Sequence, residues 1–202
     1  MIDFLIKVNH FFRKSMTKDN KLIYSEVDTL KKVIVHRPGI EIENLTPDNM
    51  ERFLFDDIPF LPTLRDEHDC FVKVLREKGV EVLYLEDLAA ESLINESVKE
   101  KFIEDLLKEG NINRENDTVY DNLYTYIESN SSKDIVRIAI EGVQKAAVSG
   151  DSKRHLHEYL QEHYPFYLDP MPNLCYTRDP GTTIGNDLSI NSMNKSSRKR
   201  EK

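Results

Sequence analysis

Cysteine is scarce in this chain. Of its 202 residues, only Cys70 and Cys175 are cysteines, and they do not have the spacing of metal-binding cysteine pairs. Two cysteines in a chain without a secretion signal argue against a disulfide framework and favour a reducing, cytoplasmic location.

Long apolar runs are also lacking. The most apolar stretch near the start, residues 1–8, is interrupted by Asp3 and Lys7, and no small-residue cleavage site follows it. This pattern predicts neither a signal peptide nor a membrane span. We expect residues 1–20 to form an N-terminal extension, disordered or helical, and translation to begin naturally at Met16.

Positive charge is in deficit. The chain has 28 Lys and Arg against 36 Asp and Glu, a net charge of −8, and its basic residues are scattered except at the extreme C-terminus. Nucleic acid and anionic membrane are therefore not expected as partners. The length is enough for one domain, or for one domain with an insert.

The first part of the chain predicts a strand, a helix and a strand. Residues 30–36 are β-rich and include an unbroken apolar run, residues 62–79 carry apolar side chains at helical spacing, and residues 80–85 alternate as a strand does. Such an order is typical of an α/β crossover unit. Thr46 before Pro47 also predicts a short helix over 47–53.

The pattern then changes to helices alone. Residues 88–164 contain predicted helices at 98–107, 120–127, 135–143 and 154–163, separated by Asn, Ser, Gly and Asp. We interpret this block as an inserted helical bundle. Residues 165–172 are expected to return the chain to the sheet, and β-branched residues over 182–191 predict a further pair of strands.

One stretch combines polar groups between two prolines. Pro172 and Pro180 enclose the amide of Asn173, the ring of Tyr176 and the carboxylate of Asp179. Because proline fixes its own φ and disfavours helix at the preceding residue, this stretch should be extended or turn-like. A carboxylate can accept two parallel N–H bonds from a guanidinium while a nearby ring covers its face. The stretch therefore suggests a guanidino ligand, although turn chemistry alone also explains such residues.

These residues belong to a wider set of motifs, in two separated blocks. The first block is Val33-Ile34-Val35-His36-Arg37-Pro38-Gly39, Leu45-Thr46-Pro47 and Leu54-Phe55-Asp56-Asp57-Ile58-Pro59; the second is Pro170-Met171-Pro172-Asn173-Leu174, Thr177-Arg178-Asp179-Pro180, Ile184-Gly185-Asn186, Ile190-Asn191-Ser192-Met193 and Arg198-Lys199-Arg200-Glu201. In order and spacing they resemble the arginine deiminase family. The resemblance extends from about residue 24 to the last residue and covers roughly the first half of a full-length member.

The resemblance implies a fold and an activity. The fold would be α/β, a partial α/β propeller of the pentein type: residues 21–87 would form its first blade, 88–164 a helical insertion, and 165–202 the start of the second blade. The activity would be hydrolysis of L-arginine to citrulline and ammonia in the cytoplasm, without a metal or organic cofactor. A single blade leaves sheet edges uncovered, so we expect a homo-oligomer or association with the missing half.

The resemblance also assigns roles to residues. Asp179, the catalytic candidate, would bind the substrate guanidinium, with a hydrogen bond from Asn173 and the ring of Tyr176 against the substrate. Arg198 would bind the α-carboxylate, and Leu54 would line the aliphatic part of the substrate. Each has an alternative interpretation: Asp179 as a turn residue, Arg198 as part of a solvated basic tail, and Leu54 as core.

The nucleophile of the family is not among these residues. Family members use a cysteine in a Gly-rich context and a His-x-Asp segment, and neither motif occurs in this sequence. Cys175 has no positioned base and no family match, and Cys70 is expected to be a small core residue. We therefore expect the chain to be inactive alone.

Two other groups of residues could be taken for a metal site or a catalytic carboxylate pair, and we interpret neither as functional. His155, His157 and His163 do not make a zinc motif, because position 161 is Gln161. Asp56 and Asp57 are adjacent, so their side chains point apart on an extended segment.

Three alternatives remain open at the level of the sequence. The chain could be another guanidino-modifying enzyme, such as an amidinotransferase or a dimethylarginine hydrolase, although the helical block favours arginine deiminase. It could be a non-enzymatic arginine-binding or partner module. It could also be one piece of an interrupted gene.

Overall fold

The structure is a computed structural model that describes residues 25, 27–114, 117–148, 164–185 and 187–201. The predicted N-terminal extension and the predicted helix at 154–163 with its histidines lie outside the described residues. Within them, helices and strands alternate in a mixed α/β arrangement. In chain order the elements are β1 (Lys32–Val35), α1 (Ile40–Glu43), α2 (Leu61–Glu77), β2 (Glu81–Tyr84), α3 (Leu85–Ser92), α4 (Glu96–Glu109), α5 (Asp117–Glu128), α6 (Ser132–Glu141), β3 (Val143–Gln144), α7 (Lys145–Val148), β4 (Phe166–Leu168), a 3-10 helix (Pro172–Cys175), β5 (Gly181–Ile184), β6 (Asp187–Ile190) and a second 3-10 helix (Ser196–Glu201).

The predicted crossover unit is confirmed. β1 and β2 pair in parallel with Lys32 opposite Glu81 and Val35 opposite Tyr84, and α2 lies between them in sequence. Gly79 follows α2 with φ +78°, a conformation that glycine adopts without steric cost and that commonly ends a helix.

The predicted buried face of α2 is only partly correct. Its apolar positions Phe71 and Val74 are exposed, whereas Leu61 and Val72 are buried. Cys70 is exposed as well, so its prediction as a core residue is wrong. Helical spacing identifies an apolar stripe but does not say what covers it, and within the described part of the chain Phe71 and Val74 of this stripe stay exposed.

The prediction of a helix at 47–53 is wrong, because these residues form hydrogen-bonded turns. The side chain of Asn49 accepts a bond from the Thr46 N–H at 2.8 Å and donates one to the Asn44 carbonyl at 3.1 Å. Within the segment the backbone N–H groups bond at mixed spacings, Phe53 to both Asn49 and Met50, and not at the regular spacing of a helix. A short helix lies earlier instead, at α1 directly after Gly39, where no helix was expected.

Three of the helices predicted for residues 88–164 are confirmed, although strand β3 also lies in this range. α4, α5 and α6 overlap the helices predicted at 98–107, 120–127 and 135–143, and Asn95 and Ser131 accept backbone N–H bonds at the N-termini of α4 and α6. They share one core, whose fully buried members include Ile103, Leu107, Leu123, Ile127 and Ile135. Each such side chain contributes roughly 1.5–3 kcal/mol through burial.

The chain leaves this block along a different path from the expected one. β4 pairs antiparallel with β3, not with the β1–β2 sheet. The reason is the turn at Gly142, with φ +81° and ψ 174°, which ends α6 and brings the following residues alongside 165–170. Leu168 and Leu174 join the helical core as a result. The predicted strand pair at 182–191 is confirmed, with β5 and β6 antiparallel.

The turn at Gly142 gives a stability prediction. A Cβ at this position would lie 2.5 Å from the Leu168 carbonyl oxygen and 2.8 Å from the Pro170 nitrogen, whereas at Gly79 nothing lies within 4 Å. We expect Gly142→Ala to lower the free energy of unfolding by about 2 kcal/mol more than Gly79→Ala does. Gly79→Ala is the control, because Gly79 has a positive φ but no close neighbour. Urea unfolding of both variants measures the difference, and equal losses would contradict the described path of the chain.

None of the described helices is long and apolar enough to cross a membrane.

Candidate functional site

The segment between Pro172 and Pro180 is turn-like, as the sequence predicts. Pro170 and Pro172 are fully buried, and a 3-10 helix over Pro172–Cys175 is followed by turns. The Thr177 hydroxyl donates to the Ile34 carbonyl at 3.0 Å and so fixes the segment to β1. Its remaining polar groups are therefore presented by a backbone that is anchored on both sides.

Asn173 connects this segment to the turn that carries Leu54. The Asn173 side chain is buried, and its Nδ2 donates to the Phe53 carbonyl at 2.8 Å. Phe53 is itself fully buried. Asn173 is thus engaged in positioning the backbone next to Leu54, which brings two of the predicted residues together.

Leu54 has an uncommon backbone conformation. Its φ is +65°, although it is a bulky residue, and its side chain is 49% exposed. This conformation is strained for leucine and persists only when neighbouring contacts hold it, as Phe53 and Asn173 do here. The alternative interpretation of Leu54 as a core residue is wrong, and its exposed side chain is available to a ligand.

Asp179 and Arg198 form an ion pair, with 3.0 Å between Asp179 Oδ2 and Arg198 Nη2. The Asp179 side chain is 47% exposed, whereas that of Arg198 is 14% exposed. Asp179 therefore does more than close the turn before Pro180, but its carboxylate is not buried among the described residues. Asp179 and Arg198, which are expected to bind opposite ends of a substrate, are thus paired with each other in this structure.

Arg198 and Arg200, at the basic C-terminal end, are not part of a solvated tail. Residues 196–201 form a 3-10 helix in which Arg200 and Glu201 are buried, and Ser197 Oγ donates to the Arg52 carbonyl at 2.8 Å. This contact brings the helix against the same turn that carries Leu54. Desolvation opposes the charge on Arg198, but Glu201 and Asp179 outweigh it and raise the pKa of its guanidinium.

Tyr176 lies at the exposed side of this arrangement. Its side chain is 58% exposed, while its N–H bonds to the Asn173 carbonyl at 3.0 Å. Its ring is thus free to cover the face of a planar ligand. The five predicted residues are therefore brought to three mutually anchored segments, around positions 54, 173–179 and 198.

Cys175 is poorly suited to act as a nucleophile. Although the residue is exposed as a whole, desolvation of its sulfur, which lies 3.8 Å from the Pro172 carbonyl oxygen, raises the pKa of the thiol to about 11. The thiolate, which is the reactive form, is therefore disfavoured at neutral pH.

This property can be measured directly. In a Cys70→Ser chain, we expect iodoacetamide to alkylate Cys175 about tenfold more slowly at pH 8 than it alkylates free cysteine, because little thiolate is present and its greater intrinsic reactivity compensates only in part. Quantitative mass spectrometry of the modified chain follows the rate. Alkylation at the rate of free cysteine or faster would contradict the raised pKa.

A buried cluster beneath the site was not assigned a function from the sequence. Both ring nitrogens of His36 bond to carboxylates, Nε2 to Glu41 at 3.0 Å and Nδ1 to Glu86. Burial by itself lowers the pKa of His36, but the two hydrogen bonds outweigh it and raise the pKa from 6.5 to about 9. The cluster lies at the end of β1, the strand to which Thr177 is anchored. The sequence feature that could have indicated this cluster is a histidine directly after a strand and shortly before an acidic helix.

Two of the remaining candidates are not part of the site. Asp56 and Asp57 are exposed, and Asp57 Oδ1 accepts a bond from the Ile58 N–H at 2.8 Å, which agrees with a structural role. In the described ranges no group of three or more His, Cys, Asp or Glu residues is arranged to hold a metal ion.

The chemistry of the site follows from its charges. A half-exposed carboxylate and a largely buried guanidinium lie side by side, with an exposed ring and an exposed aliphatic side chain on neighbouring segments. A ligand with a guanidinium at one end and a carboxylate at the other could separate this ion pair. Its guanidinium would bind Asp179, and its carboxylate would bind Arg198.

Comparison with known proteins agrees with this chemistry. A family model described as arginine deiminase matches residues 51–202. Proteins named arginine deiminase from Bacillus cereus (strain B4264) and Streptococcus uberis (strain ATCC BAA-854 / 0140J) are 46% and 48% identical, over 179 and 182 residues; each match covers 89% of this chain, and 43% and 44% of the relative. The chain thus spans less than half the length of these relatives. On the family model and this identity together, the chain belongs to the arginine deiminase family.

Proposed function

We propose that this chain supplies the arginine-binding part of an arginine deiminase, which hydrolyses L-arginine to citrulline and ammonia. The observation that carries the proposal is the ion pair between Asp179 and Arg198 beside exposed Tyr176 and Leu54. Its two charges are complementary to the two ends of arginine. Membership of the arginine deiminase family supports L-arginine as that ligand.

In this proposal Asp179 accepts two N–H bonds from the guanidinium and the ring of Tyr176 covers its face. Arg198 binds the α-carboxylate, and Leu54 contacts the methylene chain. Asn173 donates to the Phe53 carbonyl in this structure, so its contribution is to hold the Leu54 turn and, once arginine is present, to offer a further hydrogen bond. Asp179 is the catalytic candidate because it touches the reacting group.

The remaining chemistry needs a cysteine thiolate to attack the guanidino carbon, with loss of ammonia, and water to release citrulline from the thiouronium intermediate. The raised pKa of Cys175 and the exposed position of Cys70 on α2 do not support either as that nucleophile. We infer that the nucleophile and its histidine come from the part of the family's length that this sequence does not span, and that no cofactor is used.

The same reasoning extends to the fold and its surroundings. We infer that β1, α2 and β2 belong to the first blade of an α/β propeller spanning 21–87, with the helical insertion at 88–164 and the second blade beginning at 165. Phe71 and Val74 are 56% and 54% exposed on α2, which supports association with the remainder of the enzyme or with a second copy. The expected location is the cytoplasm.

A chimaera tests the proposal. This chain would replace the corresponding 43% of the Bacillus cereus relative, and citrulline formation would be measured colorimetrically. We expect the chimaera to form citrulline, the Asp179→Asn chimaera to form none above background, and the 202-residue chain alone to form none. Citrulline formation by the chain alone would show that the nucleophile is within it. Inactivity of a folded chimaera would contradict the proposed role of these residues.

A second function is favoured by Cys70 and Cys175, because neither is suited to act as the nucleophile. A chain that binds arginine without turning it over would act as a non-enzymatic arginine-binding or partner module. Micromolar arginine binding by the chain, combined with an inactive chimaera, would favour this function over the enzyme.

A further inference from the structure

Arg198 is shared between two carboxylates of different character. Its Nε lies 3.1 and 2.9 Å from the two oxygens of Glu201, and its Nη2 lies 2.7 Å from Glu201 Oε2. The same Nη2 lies 3.0 Å from Asp179 Oδ2. Glu201 thus accepts bonds from the Nε and Nη2 atoms along one edge of the guanidinium, whereas Asp179 accepts a bond from Nη2 alone.

The two carboxylates differ in burial. The Glu201 side chain is 1% exposed and that of Asp179 is 47% exposed. A charged pair that has several hydrogen bonds and is shielded from water is costly to separate, whereas an exposed pair exchanges its partner readily. Arg198 should therefore remain on Glu201 when another cation takes Asp179.

The other side of the guanidinium is available. Among the described residues, Arg198 Nη1 has no hydrogen-bond acceptor. When Asp179 releases Nη2, the Nη1 and Nη2 atoms can together donate to an incoming carboxylate, since Nε and one bond of Nη2 stay on Glu201.

We propose that Glu201 is a positioning residue that holds Arg198 in place for the α-carboxylate of arginine while the substrate guanidinium displaces Arg198 from Asp179. This inference rests on the function proposed above. Arg198 then exchanges one exposed carboxylate for another, and so does not lose a partner.

The exchange has a consequence for specificity. Arginine brings both a guanidinium for Asp179 and a carboxylate for Arg198. Agmatine, which lacks the carboxylate, takes Asp179 away from Arg198 without replacing it. Arginine should therefore bind more tightly than agmatine, and the difference should depend on Glu201.

Calorimetric titration of the 202-residue chain with arginine and with agmatine tests the specificity. We expect Glu201→Gln, which keeps the shape but removes the charge, to weaken arginine binding about tenfold and agmatine binding by less than about threefold. Glu77→Gln, on the exposed end of α2, is the matched control and should change neither. Equal weakening of both ligands, or no weakening, overturns the proposal.

A second measurement does not depend on ligand binding. The Nε–Hε signal of Arg198 in a nitrogen-15 NMR spectrum reports the bond to Glu201. We expect its exchange with water to be unchanged by Asp179→Asn and about tenfold faster in Glu201→Gln, with other arginine signals unaffected. Faster exchange of the Arg198 Nε–Hε proton in Asp179→Asn overturns the proposal. This measurement on Asp179→Asn is decisive even if Glu201→Gln does not fold. A wild-type chain that binds neither ligand would count against the proposed function, while the NMR result still decides the role of Glu201.

Discussion

Replacing Asp179 with Asn should weaken the binding of L-arginine by about 100-fold, or about 3 kcal/mol, because two hydrogen bonds between charged groups become weaker bonds to a neutral amide. The substitution keeps the size of the side chain. It also removes the charge that Arg198 pairs with in the unliganded chain, at 3.0 Å, but Arg198 retains Glu201. The loss should therefore appear in binding and not in stability.

Isothermal titration calorimetry with arginine measures this effect, and thermal unfolding checks that the variant is folded. Asp57→Asn is the matched control, because Asp57 is an exposed carboxylate that bonds only locally, to the N–H of Ile58. We expect unchanged arginine binding in the control. Arginine affinity that is equal in the wild type and in Asp179→Asn would remove Asp179 from the site.

The free energy of unfolding should fall by about 3 kcal/mol between pH 6.5 and pH 9, through the titration of His36. The pKa of His36 is raised from 6.5 to about 9 in the folded chain. A raised pKa means that the folded state holds the proton more tightly than the unfolded state. The stabilisation is therefore complete below pH 6.5 and is lost as the pH rises through 9.

The physical reason is the position of the ring between two carboxylates. Glu41 is 1% exposed and bonds to His36 Nε2, so loss of the imidazolium leaves a buried carboxylate without its cation. Replacing His36 with Gln should accordingly cost about 3–5 kcal/mol at pH 6.5 and remove most of the alkaline dependence.

Urea unfolding at a series of pH values measures both effects. His68→Gln is the control, since burial lowers the pKa of His68 and keeps it neutral across this window. That variant should retain the alkaline loss of stability. A pH dependence between 6.5 and 9 that is the same in the wild type and in His36→Gln would show that His36 is not charged in the folded chain.

Much of the fold could be predicted because it is encoded locally. The apolar run at 33–35, the helical spacing of α2 and the left-handed Gly79 lie next to one another in sequence, and β1, α2 and β2 follow from them. The helices of the block were predicted for the same reason. Local patterns did not give the pairing of β4 with β3, because that depends on the conformation of a single residue, Gly142.

The failed predictions have a common physical cause. Capping chemistry predicts a helix after Thr46, but the Phe53 carbonyl bonds to the Asn173 side chain, far along the chain, and the segment forms turns. Cys70 was predicted to be buried from its helical neighbours, but that face of α2 is exposed. In both cases the outcome was decided by contacts that the local pattern does not contain.

The candidate residues of the site could be named from the sequence, but the contacts that connect them could not. Leu54, Asn173, Tyr176, Asp179 and Arg198 were identified from motif positions. The sequence did not indicate that Glu201 holds Arg198, or that Arg200 is buried with its Nη2 on the Ala139 carbonyl at 2.8 Å and its pKa lowered to about 10 by burial. Such partners are distant in sequence or hidden in a run of charges, and a charge run ordinarily indicates a solvated surface.

A crystal structure of the chain with bound L-arginine tests the central claim most directly. The account predicts the arginine guanidinium about 3 Å from the Asp179 carboxylate, the α-carboxylate on Arg198, and Arg198 still paired with Glu201. Arginine bound elsewhere while the pair between Asp179 and Arg198 stays intact would contradict it.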